Sequence, residues 1–204
     1  MNLRLYIRLA LAIFLLLPMS VAGAGAGPRA PVQALHGTLL EVMHDAKSLG
    51  FAGRRERLAP VVHQGFDMPY ITRLVAGAHW KKMSAEQRAR LIDIFSQLTV
   101  ATYAGRFDRY AGEEFAILAE RELKKGRRLI RSRLTDSVGK DIRLDYVLHR
   151  TDGGWRIVNV VANGISDLSL KRADYTIVLR DGGFGALVGK LEKILADYTG
   201  TINQ

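Results

Sequence analysis

Cysteine is absent from the 204 residues. A disulfide framework, a thiolate metal site and a thiol nucleophile are therefore excluded. The spacings that mark common catalytic centres are missing too. His36, His44, His63, His79 and His149 form neither H-E-x-x-H nor any other i,i+4 ligand pair, so no metal site is expected. His36 and His44, on nearly the same helix face, read as surface or capping histidines. No G-x-S-x-G elbow occurs. Glu113 and Glu114 are adjacent, so a strand would point them to opposite faces and spoil them as an acid–base pair. Gly183-Phe184-Gly185 with Gly189 opens a helix but has no βαβ context, which removes a phosphate-loop reading. No internal repeat is visible. No catalytic residue and no cofactor are expected.

Acidic residues are outnumbered, with 30 Lys and Arg against 20 Asp and Glu, a net charge of +10. The N-terminus carries a targeting pattern. Arg4 and Arg8 form a basic region, residues 9–17 are uninterruptedly apolar, and Pro18 closes the run. Ala22-Gly23-Ala24 or Ala24-Gly25-Ala26 then supplies an A-x-A cleavage pattern. The run is short of the roughly 20 residues that span a bilayer. Residues 1–26 are therefore expected to be a cleaved signal peptide, with an uncleaved anchor as the alternative. Residues 27–204 are expected to be a single exported domain in the periplasm. Such a basic exported protein meets anionic lipid head groups, acidic polymers or acidic protein faces rather than nucleic acid.

Helical spacing begins at Val32 and continues through Leu35, Leu39, Val42, Met43 and Ala46, ending at Gly50. A more polar helix is predicted over residues 54–62. Asp67 reads as the N-cap of a third, with Pro69 in its first turn and Gly77 at its end. Ser84 and Gln87 spell a capping box that opens the longest helix, predicted to reach about Tyr110. Four strands follow, over residues 115–118, 128–134, 141–149 and 155–162, joined by short glycine-bearing turns. Such links imply an antiparallel meander. Two helices close the chain, over residues 174–179 and from Phe184 to Tyr198.

The centre of this order is residues 153–166, GGWRIVNVVANGIS. Trp155, Ile157 and Val161 alternate with Val158, Val160 and Ala162, so the strand reads as apolar on both faces. The predicted class is α+β: a curved antiparallel sheet of about four strands, with helices packed on one face and enclosing an apolar cavity.

Several stretches together resemble the MlaC family of periplasmic lipid-binding proteins, also called the toluene-tolerance family. They are Phe66-Asp67, Arg73-Leu74-Val75-Ala76-Gly77 with Trp80, Glu86-Gln87-Arg88, and Ala101-Thr102-Tyr103-Ala104. Gly154-Trp155-Arg156-Ile157-Val158-Asn159-Val160, Asn163-Gly164-Ile165-Ser166 and Gly183-Phe184-Gly185-Ala186-Leu187 complete the set. The family often has acidic residues where Asn159 and Asn163 stand. Residues 101–115, ATYAGRFDRYAGEEF, look most like the hopanoid-biosynthesis-associated branch. The resemblance implies a carrier of a phospholipid or hopanoid; nothing in the sequence demands an oligomer, so a monomer is expected. It would shuttle that cargo between an inner-membrane ABC lipid transporter complex and an outer-membrane lipoprotein complex.

On that reading Phe95, Leu98, Tyr103, Leu144, Tyr146, Val158 and Val160 are the expected lipid-binding wall. Arg106, Lys124 and Lys125 are the expected head-group rim; Lys124 and Lys125 belong to a basic cluster with Arg121, Arg127, Arg128, Arg131 and Arg133 that otherwise guards a sheet edge. Gly50, Gly53, Gly77 and Gly105 are candidate flex points. Two other classes remain open. One is a small α+β enzyme of isomerase or dehydratase type, using His149 or Asp145 as acid–base. The other is a periplasmic adaptor that binds only protein and has a filled core.

Overall fold

A computed structural model describes residues 26–200. The expected signal peptide falls almost wholly outside the described residues. Helix α1 (Ala30–His44) buries Val32, Leu35, Leu39 and Val42 on one stripe. It stops earlier than its spacing suggests, at Asp45. Helix α2 (Ala46–Gly65) then starts at once and bends at Gly50, where φ is 58°. A side chain is strained at that angle, so the Gly50 break is what glycine permits here.

Helix α3 (Met68–Ala76) starts as the sequence indicates, with the Asp67 carboxylate accepting the Tyr70 N–H at 2.9 Å. A 3₁₀ segment, Gly77–Lys82, leads to α4 (Ala85–Arg106). Both bonds of the Ser84–Gln87 capping box are present. Helix α4 ends at Arg106 rather than Tyr110, because Phe107 leaves the helix and packs near Tyr103 and Phe115. Arg54 of α2 is buried and donates to the carbonyls of Ala104 and Ala46. It thereby satisfies one of the free acceptors at the C-terminal end of α4.

The sheet has five strands, one more than the sequence suggests. They are β1 (Glu114–Leu123), β2 (Arg127–Thr135), β3 (Asp141–Thr151), β4 (Gly154–Ala162) and β5 (Ile165–Ser166). They pair antiparallel in sequence order. The extra strand is made by Asn163-Gly164, both at positive φ, in a two-residue hairpin turn. Helix α5 (Asp167–Gly200) follows directly and breaks at Gly183, where φ is 71°. That break separates the two closing helices read from the sequence.

The central strand departs from simple alternation. Leu148 pairs with Ile157 while Val147 pairs with Asn159, so Val158 is an extra residue. The bulge leaves neighbours Ile157 and Val158 both buried, at 0% and 2% exposure. Val161 instead pairs with Asp145, whose carboxylate lies beside Arg131 and Arg143 at 3.1 and 3.6 Å. The strand is thus not covered equally on both faces. Its apolar residues are shifted by the bulge toward the helices, while the Asp145 face carries ion pairs.

The link between α2 and α3 is anchored to β4 through Phe66, which bridges Ile157, and through the Asp67 N–H, which donates to the Ile157 carbonyl at 3.0 Å. Asp67 also holds His149 Nε2 at 2.7 Å, so one carboxylate caps α3 and pins it to β3.

Candidate functional site

Helices α3, α4 and α5 do not close over the far end of the sheet. Between them lies an open, mainly apolar cavity of about 430 Å³. Its floor is built from buried residues: Leu39 of α1, Phe66, Met68 and Ile71 around α3, Phe95 of α4, and Tyr146 and Val158 of the sheet. Its walls include Leu134, Ile142, Leu144, Val160 and Phe107. The mouth is formed by Arg106, Ala162, Ile165, Asp167 and Leu170, all exposed. Lys171 lies beside them and pairs with Asp167 at 2.6 Å. A volume of this size falls in the range of small-molecule sites.

A roomier hollow of about 690 Å³ lies between α1, α2 and the β3–β4 turn. Arg150, Asp152, Arg156 and peptide groups contribute much of its lining. The apolar cavity is the better candidate, because apolar surface left open is what binding of an apolar ligand requires.

Six of the seven residues expected on the wall meet in this cavity: Phe95, Tyr103, Leu144, Tyr146, Val158 and Val160. Leu98 does not. It is 4% exposed within the core cluster that also holds Leu91, Ile94 and Ala101. Helix α4 packs against α2, α3 and α5, so its apolar surface is shared between core and cavity. The edge carrying Phe95, Thr99, Thr102, Tyr103 and Arg106 faces the cavity; periodicity alone does not separate that edge from the rest.

Of the expected rim, Arg106 stands at the mouth. Lys124 and Lys125 do not. They lie in the turn before Arg127, whereas the cavity uses the Leu134 end of β2, about 24 Å along the strand at ~3.4 Å per residue. Strand β1 runs between Arg106 and the Lys124-Lys125 turn and carries that turn to the other end of the sheet. The mouth residues that sequence reasoning missed are Ile165, Asp167, Leu170 and Lys171. The Asn163-Gly164 dipeptide was the signal that could have found them, since it returns the chain to β4 and starts α5 there.

The deep polar groups are held neutral. His36 is buried, contrary to its reading as a surface or capping residue, and burial lowers its pKa to about 4. It meets the hydroxyl of Tyr146 at 3.0 Å. Burial also raises Tyr146 well above the ordinary tyrosine range. Tyr103 is raised as well, first by burial and then by Asp167, with Arg106 opposing.

Neither residue suggested for acid–base work reaches the cavity. Asp145 is tied to Arg131 and Arg143, and His149 to Asp67 beside Tyr70. Among the described residues no three metal-ligating side chains gather. Of the glycines expected to flex, Gly50 and Gly77 stand at helix breaks with positive φ. Gly105 sits within α4 against Tyr198, where an added Cβ would fall 2.8 Å from the ring. Gly53 likewise lies within the regular part of α2.

Fold and site together define a class: an α+β binding protein built around one open apolar cavity with a charged mouth. The family model described as "MlaC protein" matches residues 33–193, and the chain belongs to that family. An intermembrane phospholipid transport system binding protein MlaC from Haemophilus influenzae is 27% identical over 143 residues. That match covers 68% of this chain and 65% of the relative, just under two thirds of its length. A solved structure from Ralstonia solanacearum, a phospholipid-binding protein in complex with a phospholipid, superposes with a TM-score of 0.74. It is 21% identical and covers 85% of this chain and 99% of its own, which establishes the shared fold.

Proposed function

We propose that this protein is a phospholipid carrier that holds acyl chains in the apolar cavity and leaves the head group at the mouth. The observation that carries the reading is the cavity itself, with a floor of buried apolar side chains and charges only at its opening. A two-tailed lipid has on the order of 30 methylenes, and exposing them to water costs about 0.8 kcal/mol each. A soluble carrier must shelter much of that surface, and a dry apolar hollow does so without specific bonds. Arg106 supplies positive charge for a head-group phosphate, which stays in water and keeps its hydration.

The described relatives are both named for phospholipid, which supports that cargo over a hopanoid. The transport setting rests on the Haemophilus relative's name and on the N-terminal sequence pattern. In it the protein is exported to the periplasm and moves lipid, as a monomer, between an inner-membrane ABC complex and an outer-membrane complex. The test is organic extraction of the purified protein followed by mass spectrometry. A stoichiometric phospholipid is the expected result. A hopanoid would redirect the cargo, and no lipid at all would overturn the carrier reading.

A further inference from the structure

One hydroxyl in the cavity has no use in an all-hydrocarbon site. The other wall hydroxyls are occupied. Thr99 and Thr102 donate to the carbonyls of Phe95 and Leu98, each at 2.8 Å. Tyr146 is joined to His36. Asn159 accepts from the Ser166 hydroxyl and the Leu168 N–H through Oδ1. Tyr103 lines the same cavity, and among the described residues its hydroxyl makes no hydrogen bond. Its ring lies between Phe66 of the floor, 6.0 Å away, and Phe107, 6.1 Å away. Arg106 of the mouth is three residues further along α4, a rise of about 4.5 Å. Tyr103 therefore stands at the level between mouth charge and apolar floor. Methylenes packed against it would leave a desolvated donor unpaired, which is unfavourable.

We propose that the Tyr103 hydroxyl donates to an acyl-ester carbonyl of the cargo, so that the cavity selects ester-linked glycerolipids and fixes how deep they sit. This rests on the phospholipid-carrier reading. In a diacyl glycerophospholipid the ester carbonyls lie between phosphate and hydrocarbon, about one glycerol unit below the phosphate. Placing the phosphate by Arg106 brings a carbonyl to Tyr103. A chain-matched diether lipid keeps the head group and tails but has methylenes in place of the carbonyls, so it isolates this one bond.

The full-length protein is incubated with vesicles holding equal amounts of diester and diether phosphatidylglycerol with identical chain lengths. Protein is re-isolated and the bound ratio read by mass spectrometry. One donor–carbonyl bond gives an expected enrichment of the diester of about five- to tenfold. Tyr103→Phe, checked for folding by thermal melt, should bring the ratio close to one by lowering diester retention to that of the diether. An unselective wild type overturns the proposal, and so does selectivity that survives in Tyr103→Phe. Retention of neither lipid overturns the carrier reading itself and this proposal with it, a result distinct from retention of both without preference.

Discussion

Beneath the cavity floor, His36 Nε2 lies 3.0 Å from the hydroxyl of Tyr146, and the His36 ring stacks on Phe115 at 4.3 Å. A neutral imidazole is thus part of the packed support for a cavity-lining tyrosine. Burial holds the folded pKa at about 4, below the unfolded value of 6.5. The unfolded chain therefore binds a proton first as pH falls, and folding stability is lost across the interval between those two values. The loss traceable to His36 is about 3 kcal/mol, from a shift of roughly 2.5 units at 1.36 kcal/mol each. Urea unfolding at about pH 7 and about pH 4 should show a smaller drop for His36→Gln than for the wild type. Equal drops would mean that His36 does not titrate this way.

Val160 borders the cavity from β4 and is half-buried. Val160→Trp should fill space that cargo needs, lowering retained lipid about tenfold or more, since overpacking a filled site costs about 1–3 kcal/mol. The unfolding midpoint should change little, because the ring has an open hollow to enter. Unchanged lipid content by mass spectrometry would remove this position from the cargo wall.

Charge at the mouth gives a test with an internal control. Arg106→Glu should weaken retention of phosphatidylglycerol several-fold, in line with about 1 kcal/mol for an exposed ion pair, and the effect should fade at high salt. Lys124→Glu with Lys125→Glu makes a larger charge change at the end of the sheet opposite the cavity and should leave retention as it is. Equal losses in both variants would show a general charge effect and not a mouth contact.

Asp67 does two jobs, capping α3 and holding His149 at 2.7 Å. Asp67→Ala removes both and should lower stability by about 2–3 kcal/mol. Asp67→Asn preserves a good cap and should lose roughly half as much. Both are read from urea midpoints. A wild-type-like Asp67→Ala would mean that α3 is held by its apolar face alone.

The sequence made the helix starts legible because capping is local. Ser84 and Gln87, or Asp67 and Tyr70, make their bonds within one turn. The meander was legible for a similar reason, since short links leave neighbouring strands little choice of partner. Strand β5 was missed because two residues give no periodicity, though Asn163-Gly164 carries the turn chemistry. The wall was largely legible from alternation along β3 and β4. Leu98 was misplaced because α4 touches several partners, and periodicity gives a face without saying what covers it.

What the sequence determined by itself was most of the elements, their order and the lack of thiol chemistry. These follow from composition and from interactions spanning a few residues. The tertiary structure alone decided that Arg106 stands at the mouth while Lys124 and Lys125 do not, that a bulge buries both Ile157 and Val158, and that the Tyr103 hydroxyl faces the cavity with no hydrogen-bond partner among the described residues. Those outcomes depend on how separate elements pack against one another, and the geometry of an open space belongs to no single segment of the chain.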